Sequence, residues 1–378
     1  MIPSGVDIAF VFHDTGLTGA SVALLRYLQF VKAQQYFSFV ALVPGKGSLF
    51  TELCTLTEPI IYSASVHPAS RLTRFIDAIL QRTTTINRTA ALLEHLEAVQ
   101  PQLVYFNTVV CAPYIEALVQ NSSAQVVWHI HELKHGVQLT GIDPNKALNE
   151  HPKLIANSET TRSFLATSFK LDPKMISVHT PCLPLVNSVK RKNRQVTDSA
   201  RVVACGTALH SKGINDFVQL AMKYKELFPT PKVSFEWVGN IKYLSRELIC
   251  SLETARSFVH FRGVIQNMDA IYNDTDVLVS LSHEESFGLT IIEAASFGVP
   301  AVGYNNSGEI SRLLVAAGST LSDRGNFDAV AQSIHLLLTD RESYVRRCDE
   351  VFEWSRQYAA EKVVPNWLAT VKSFLNEK

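Results

Sequence analysis

Short runs of β-branched and aromatic residues alternate along this chain with longer amphipathic stretches, and this alternation constrains the fold more than any other feature. Strands that are apolar at every position are typical of parallel sheets covered by helices on both faces. The pattern therefore predicts an α/β fold. The predicted strands lie at 8–12, 39–43, 60–63, 103–106, 126–130, 154–157 and 176–179 in the first half, and at 201–206, 234–239, 259–263, 276–281 and 300–304 in the second.

The alternation stops near residue 183, where prolines, polar residues and a basic cluster follow one another. A chain of 378 residues is long enough for two domains, and one sheet of a dozen strands would be unusual. We therefore predict two doubly wound, Rossmann-like domains joined by a linker. The predicted parts are an N-terminal domain at 1–185, a linker at 186–200, a C-terminal domain at 201–345 and a helical tail at 346–378 with a break near Pro365.

The charge balance argues against one class of partner. Lys plus Arg number 35 and Asp plus Glu number 35, so the formal net charge is zero. A protein that binds nucleic acid through phosphate contacts usually carries a basic excess, and we therefore predict no nucleic-acid partner. An apolar content of 47% also argues against an intrinsically disordered chain.

The cysteines and the N-terminus indicate a compartment. Six cysteines occur without any Cys-x-x-Cys pair, a pattern typical of isolated thiols in a reducing environment. The N-terminus lacks the basic region of a signal peptide, and no apolar stretch approaches the ~18 residues of a membrane span. These features predict a soluble, cytoplasmic protein.

Two basic segments leave a peripheral membrane contact open as an alternative. At 71–82, arginines lie beside an apolar stripe, which is more typical of a helix that packs on a core and exposes its charged face to solvent. The basic cluster at 190–194 is more typical of a solvated linker. Membrane contact is the weaker interpretation of both.

Residues 131–135 match the His-Glu-x-x-His motif of zinc peptidases. That motif binds zinc when both histidines lie on one face of a helix. Here it directly follows a predicted strand and runs into Gly136, so we predict no metal site. His131 alone, at the end of a strand where α/β sheets bind ligands, is the favoured functional residue, and ordinary packing is the alternative.

Glycine-containing loops follow two predicted strands in the N-terminal half. The loop at 13–21 opens the first helix, and its small residues, including Gly19, let backbone amides approach an anion. A plain strand-to-helix turn explains it equally well. Gly45 and Gly47 are too few for a dinucleotide-binding fingerprint.

The segment 282–310 carries the strongest signal. A predicted strand ends at Leu281, and an acidic loop with Glu285 precedes a helix that contains Glu293. Gly288 at the helix start allows a close approach of backbone to ligand, and the first helical amides lack intrahelical acceptors. A diphosphate fits such a terminus, and carboxylates accept hydrogen bonds from vicinal sugar hydroxyls. A solvated acidic loop followed by an ordinary helical glutamate is the alternative.

The residues of this segment also carry a resemblance. Glu285-SFGLTII-Glu293, the following EAASFGVPAV and the Gly-Glu-Ile at 308–310 closely resemble the retaining glycosyltransferases of family 4, the group 1 glycosyltransferases. The resemblance implies the GT-B fold, in which two Rossmann-like domains face each other across a cleft, and we expect the tail to cross back to the N-terminal domain. Further similar segments lie at 154–165, 202–217 and 259–282, with shorter matches at 13–21 and 126–132.

The same resemblance implies a retaining, metal-independent enzyme that moves a sugar from a nucleotide-sugar to an acceptor hydroxyl. Glu285 contacts the donor sugar, His131 contacts one of its hydroxyls, Lys212 holds the diphosphate and Glu293 binds the ribose. The other implied donor-binding positions are Gly19 near the phosphates, Thr207, Val264 whose backbone meets the base, and Phe287, Gly288 and Leu289, whose loop amides hold the diphosphate. The donor is UDP- or GDP-linked, and no cofactor or metal is implied.

Two positions depart from the family pattern. Thr207 stands where the family has an arginine aimed at the diphosphate, and Thr18-Gly19-Ala20-Ser21 replaces its paired glycines. Two alternatives therefore stay open: a non-catalytic subunit that binds nucleotide-sugars, and a GT-B phosphorylase or epimerase. The acceptor, whether a glycan, a lipid-linked molecule or a small molecule, is not indicated by the sequence.

Overall fold

The structure, a computed structural model, describes residues 5–62, 74–185, 199–229, 232–241 and 255–377. The chain forms two units, the first made of residues 1–185 with 360–378 and the second of residues 186–359. Each unit contains one sheet in which the described strand pairs are parallel. The α/β fold predicted from the continuous apolar runs is confirmed.

The first unit contains a sheet of seven strands. They are β1 (Ile8–Val11), β2 (Phe39–Val43), β3 (Ile60–Ile61), β4 (Leu103–Asn107), β5 (Gln125–Ile130), β6 (Lys153–Ala156) and β7 (Ile176–Val178). Their order in the sheet is β3-β2-β1-β4-β5-β6-β7. The chain leaves β1 on one side and returns on its other side as β4, so the loops after these two strands diverge at the carboxyl edge. In α/β sheets this divergence is where ligands bind.

Helices cover both faces of this sheet because successive strand residues point to opposite sides. Ala9 and Val11 of β1 pack in one apolar cluster, and Ile8 and Phe10 pack in another. The helices are α1 (Gly19–Gln34), α2 (Phe50–Leu56), α3 (Arg74–Val99), α4 (Ala112–Val119), α5 (Lys134–Thr140), α6 (Asn145–Asn149) and α7 (Glu159–Phe169), with 3-10 turns at Val109–Cys111 and Pro173–Met175.

The second unit contains a sheet of six strands. They are β8 (Ser199–Cys205), β9 (Lys232–Val238), β10 (Val259–Gly263), β11 (Val277–Ser280), β12 (Ala301–Tyr304) and β13 (Leu321–Ser322), in the order β10-β9-β8-β11-β12-β13. Its described helices are α8 (Ile214–Leu227), α9 (Met268–Asp274), α10 (Leu289–Ser296), α11 (Glu309–Ala316), α12 (Phe327–Thr339) and α13 (Arg341–Ser355), with 3-10 turns at His210–Lys212 and Arg356–Tyr358. The strand order reverses between β8 and β11, and the loops after these strands form the corresponding divergence.

The predicted tail does not act as one segment. Helix α13 and the turn that follows it belong to the second unit, and α14 (Ala360–Asn376) belongs to the first. Trp367 of α14 is fully buried in the first unit, and its indole nitrogen donates to the hydroxyl of Tyr105 at 3.0 Å. The predicted break near Pro365 is wrong, because α14 continues through it. Pro365 is the sixth residue of α14, so the helix lacks the hydrogen bond that its backbone nitrogen would donate to the carbonyl of Glu361.

The remaining sequence predictions fall on both described and undescribed residues. The predicted strands are all present, and the two-residue strand β13 was not predicted. The linker at 186–200 lies outside the described residues except for its last two positions, with which β8 begins. The side chains of the predicted amphipathic helix at 71–82 also lie outside the description. Across the described part of the chain, each helix is too short or too polar to cross a membrane.

Candidate functional site

In the second unit, the loop after β8 reaches the end of β11 through a glycine. The 3-10 turn that ends at Lys212 is followed by Gly213, whose φ is +77°. A Cβ atom at Gly213 would lie 2.1 Å from the carbonyl oxygen of Leu281. Only glycine permits both this backbone conformation and this close approach. The loop therefore delivers Lys212 to the point where β8 and β11 diverge.

At this point Lys212 meets Glu285. The Lys212 ammonium nitrogen and a carboxylate oxygen of Glu285 are 2.5 Å apart, and the two side chains are 31% and 22% exposed. Solvent thus reaches the ion pair, and exposed pairs of this kind contribute about 0–1 kcal/mol to stability. An incoming ligand can separate the two groups at little cost.

The backbone around Glu285 is fixed independently of that ion pair. The amide of Glu285 donates to the carbonyl oxygen of Ser307, and the amide of Glu309 donates to that of Glu285, at 3.0 Å each. These bonds tie the loop to the start of α11. Two residues before Glu285, the loop is held by His283, whose Nε2 lies 3.1 Å from a carboxylate oxygen of Asp216. The carboxylate of Glu285 therefore projects from a rigid loop.

Helix α10 begins beside this loop at Gly288. The φ of Gly288 is +115°, and a Cβ atom there would lie 2.9 Å from the side chain of Ile310. The neighbouring Phe287 is 3% exposed and packs edge-on against Tyr358, so its ring supports the loop from inside. Leu289 is the first residue of the helix. The turn thus presents the amino terminus of α10 and its positive dipole end.

A small cavity of about 20 Å³ lies where these elements meet. The side chains around it include Cys205, Lys212, Ser282, Glu285 and Thr290. The structure therefore brings Lys212 and Glu285 together with Thr290 in the first turn of α10. Ser282 and Thr290 were not predicted, because isolated hydroxyl residues in a loop and a first helical turn carry no pattern of their own.

Glu293 lies one turn further along α10. One of its carboxylate oxygens accepts a hydrogen bond of 2.8 Å from the hydroxyl of Tyr272, a residue of α9. The thiol of Cys205, at the end of β8, is close enough for the Glu293 charge to act on it. Burial raises the pKa of that thiol strongly, and the Glu293 charge raises it further. Glu293 therefore stands at the same edge of the sheet as the cavity.

Two other predicted positions border this edge. Val264 follows Gly263, the last residue of β10, and its side chain is 59% exposed. Thr207 is half-buried in the loop after β8, next to Gly206. The chain is tightly packed here, since a Cβ atom at Gly239 would lie 2.0 Å from the Gly206 carbonyl oxygen. The threonine at 207 places no cation in this part of the loop.

In the first unit, Gly19 and His131 lie near the divergence of β1 and β4. Gly19 is the exposed first residue of α1. The side-chain nitrogen of Asn107 donates to the carbonyl oxygen of Ala20 at 3.0 Å. This bond turns the side-chain oxygen of Asn107 towards Nε2 of His131, 2.8 Å away. Because that oxygen only accepts, Nε2 of His131 carries a proton. Burial, assisted by His13, lowers the pKa of His131 to about 3, so its imidazole is neutral.

The His-Glu-x-x-His segment is not one helix, since His131 and Glu132 precede the start of α5. The Glu132 carboxylate instead accepts bonds of 3.0 Å from the amides of Val109 and His131. Burial raises its pKa despite these bonds. No group of three histidine, cysteine or acidic side chains among the described residues is arranged to hold a metal ion. The geometry gives a zinc peptidase no support.

The fold and part of the sequence match a known class of proteins. Residues 187–351 match the family model described as Glycosyl transferases group 1. Two solved structures share the fold over nearly the whole chain. Anabaena Alr3699/HepE in complex with UDP and glucose has a TM-score of 0.77 and 16% identity, covering 98% of this chain and 100% of that one. A glycosyltransferase from Rickettsia africae ESF-5 has a TM-score of 0.73 and 14% identity, covering 98% and 99%. The GT-B fold is thereby confirmed.

Curated relatives match over shorter stretches. An uncharacterized glycosyltransferase of Haemophilus influenzae is 24% identical over 221 residues, which are 57% of this chain and 60% of that protein. The capsular polysaccharide biosynthesis glycosyltransferase CapM of Staphylococcus aureus is 26% identical over 168 residues, 41% of each chain. The chain spans between 16% and 60% of the length of the first three curated relatives that it matches.

Proposed function

We propose that this protein is a retaining glycosyltransferase that moves a sugar from a nucleoside-diphosphate sugar to an acceptor hydroxyl. The observation that carries the proposal is the convergence of Lys212, Glu285 and the start of α10 on one cavity, with Glu293 one turn away. A cation and a helix amino terminus suit a diphosphate, and the two carboxylates suit hydroxyls on either side of it. The solved structure of HepE is a complex with UDP and glucose, which supports a donor of this class.

The proposed donor lies across the carboxyl edge of the second sheet. Its diphosphate meets Lys212 and the amides of Gly288 and Leu289, and its ribose hydroxyls meet Glu293. The backbone at Val264 meets the base, and Glu285 meets the transferred sugar. Binding separates the exposed ion pair, so that Lys212 turns to the phosphate while Glu285 turns to the sugar. In this proposal the backbone at Gly19 approaches the phosphates, and His131 forms a hydrogen bond to a hydroxyl of the donor sugar.

The chemical step releases a nucleoside diphosphate, whose negative charge grows as the glycosidic bond breaks. Lys212 and the α10 amides compensate that charge in place of a metal ion, because they are positioned before the reaction starts. The acceptor hydroxyl attacks on the face that the diphosphate leaves. Its proton passes to the departing phosphate oxygen, the new bond keeps the anomeric configuration, and no enzyme nucleophile is required.

The experiment that tests this proposal is a thermal-shift screen of the full chain against UDP, GDP, ADP and their hexose conjugates. A ligand that binds only the folded state raises the melting temperature, and the rise grows with ligand concentration. We expect one nucleoside diphosphate and its sugars to stabilise wild type, and Glu293→Ala to remove most of that shift. No shift with any of these nucleotides at millimolar concentration would contradict the proposal. Binding without donor turnover would instead identify a non-catalytic subunit.

A further inference from the structure

Tyr272 is a buried tyrosine whose hydroxyl group contacts the proposed ribose site. Its side chain is 1% exposed, and the hydroxyl donates to one oxygen of the Glu293 carboxylate at 2.8 Å. Tyr272 comes from α9, a helix separate from the motif around α10. Its ring packs against Phe297, the residue that ends α10, with the ring centroids 5.7 Å apart. The ring is therefore held in place by packing, whatever the hydroxyl does.

A glutamate side chain has three rotatable bonds, and a ligand that needs one carboxylate orientation loses affinity whenever the others are populated. A hydrogen bond from a fixed donor to one carboxylate oxygen removes most of that freedom before the ligand arrives. Bonds to an ionised acceptor are also stronger than neutral ones. The Tyr272 hydroxyl is such a donor, because burial and the contact with Phe297 fix its position.

We propose that Tyr272 is a positioning residue that orients the Glu293 carboxylate towards the ribose hydroxyls and so makes the site prefer ribonucleotides over 2′-deoxyribonucleotides. This inference rests on the proposed function, in which Glu293 binds the ribose. Tyr272 itself does not touch the nucleotide. Its hydroxyl holds one carboxylate oxygen and so fixes the orientation in which the Glu293 carboxylate meets the ribose. A hydroxyl that merely satisfies a buried hydrogen bond would contribute to stability without affecting the choice of sugar.

The test measures affinities of the full chain for UDP and 2′-deoxy-UDP, and in parallel for GDP and 2′-deoxy-GDP, by isothermal titration calorimetry. The preference is the ratio of the two dissociation constants for the base that binds. For wild type we expect a preference of roughly 10- to 100-fold, since a hydrogen bond to a charged group is involved. Tyr272→Phe keeps the ring and removes only the hydroxyl. It should weaken ribonucleotide binding about three- to tenfold and 2′-deoxyribonucleotide binding less, because the deoxyribose offers Glu293 one hydroxyl fewer, so the ribose preference should fall.

Tyr344 supplies a matched control in the same unit. It is also fully buried, and its hydroxyl donates to the backbone oxygen of Asp276 at 3.0 Å. Tyr344→Phe should lower the melting temperature but keep the wild-type ribose preference. In a Glu293→Ala background, which should abolish the preference, adding Tyr272→Phe should have no further effect on it.

The outcomes separate this inference from the function beneath it. If Tyr272→Phe weakens both nucleotides equally, or keeps the wild-type ratio, Tyr272 is only structural and the inference is wrong while the nucleotide site stands. If wild type binds ribo- and deoxyribonucleotides equally well, the role of Glu293 and the role of Tyr272 both fall. If wild type binds neither UDP nor GDP, the proposed UDP- or GDP-linked donor itself is wrong.

Discussion

Replacing Lys212 by alanine should separate catalysis from stability. In the structure the Lys212 ammonium pairs with the Glu285 carboxylate, and solvent reaches both side chains, which are 31% and 22% exposed. Loss of such a pair costs about 0–1 kcal/mol. For a unit of this size, about 1 kcal/mol corresponds to a change in melting temperature of roughly 2–4 °C. Lys212→Ala should therefore fold like wild type and melt within about 4 °C of it.

The effect on activity should be far larger. During transfer the leaving diphosphate gains negative charge, and removal of one preorganised charge-stabilising group typically costs roughly 10²–10³ in kcat. Thr207 stands where the family that this chain resembles has an arginine as a second cation for the diphosphate. In this loop Lys212 therefore has to compensate the diphosphate charge without that arginine. We expect Lys212→Ala to lose at least about that factor. The assay is the initial rate of nucleoside diphosphate release from the nucleotide-sugar that stabilises wild type.

Lys223 provides the matched control. Its ammonium lies 2.9 Å from a carboxylate oxygen of Glu226 on α8, and its side chain is 29% exposed, close to the value for Lys212. Lys223→Ala removes a comparable ion pair away from the cavity and should keep full activity. If Lys212→Ala also kept nearly full activity, the diphosphate would have to bind elsewhere, and the placement of the donor at this edge would be refuted.

Three further predictions address the two carboxylates, a glycine and a histidine. Glu293→Ala should weaken nucleotide binding about ten- to a hundredfold, or about 1.5–3 kcal/mol. Glu285→Ala should slow transfer but leave the affinity for the free nucleoside diphosphate unchanged. Equal losses of affinity in the two variants would contradict these roles. Gly213→Ala should lower the free energy of unfolding, measured in urea, by much more than Gly141→Ala does. Both glycines have a positive φ, +77° and +64°, but the added Cβ would lie 2.1 Å from a backbone oxygen at Gly213 and would meet no heavy atom within 4 Å at Gly141. The pKa of His131 falls from 6.5 to about 3 on folding, so the unfolded chain binds more protons between these values and stability should drop as the pH falls through this window. His131→Gln should flatten that dependence in urea titrations from pH 7 to pH 4, and an unchanged slope would show that His131 does not contribute.

Much of the fold was predictable because buried parallel strands leave a local pattern. Most predicted strands are short, largely apolar runs, and the sequence indicated in advance the loops that follow β8 and β11. Strand β13 was missed because two residues form no periodic pattern. The division of the tail was missed for a different reason. Helix α14 joins the first unit through the burial of Trp367, a contact 262 residues away from Tyr105 in sequence, and no local pattern encodes it.

Candidate site residues were predictable where they lie in a segment with a motif of its own, as Lys212 does in 202–217. Glu285, Gly288 and Glu293 lie in one segment and were found together. Tyr272 is 21 residues from the carboxylate that it contacts, and its role depends on a hydrogen bond between two helices. Asn107, which holds His131, is 24 residues from it and is brought close by neighbouring strands. Such partners are set by the packing of helices and strands, so a single sequence does not reveal them.

In the proposed mechanism, Lys212 and helix amides take the place of a metal ion during turnover of the nucleotide-sugar. The most direct test follows the release of nucleoside diphosphate from the stabilising nucleotide-sugar, by chromatography, in excess EDTA, for wild type and Lys212→Ala. In EDTA we expect wild type to release nucleoside diphosphate well above the uncatalysed rate, and Lys212→Ala to lose this release. Complete loss of wild-type turnover on chelation, restored by Mn²⁺ or Mg²⁺, would contradict it.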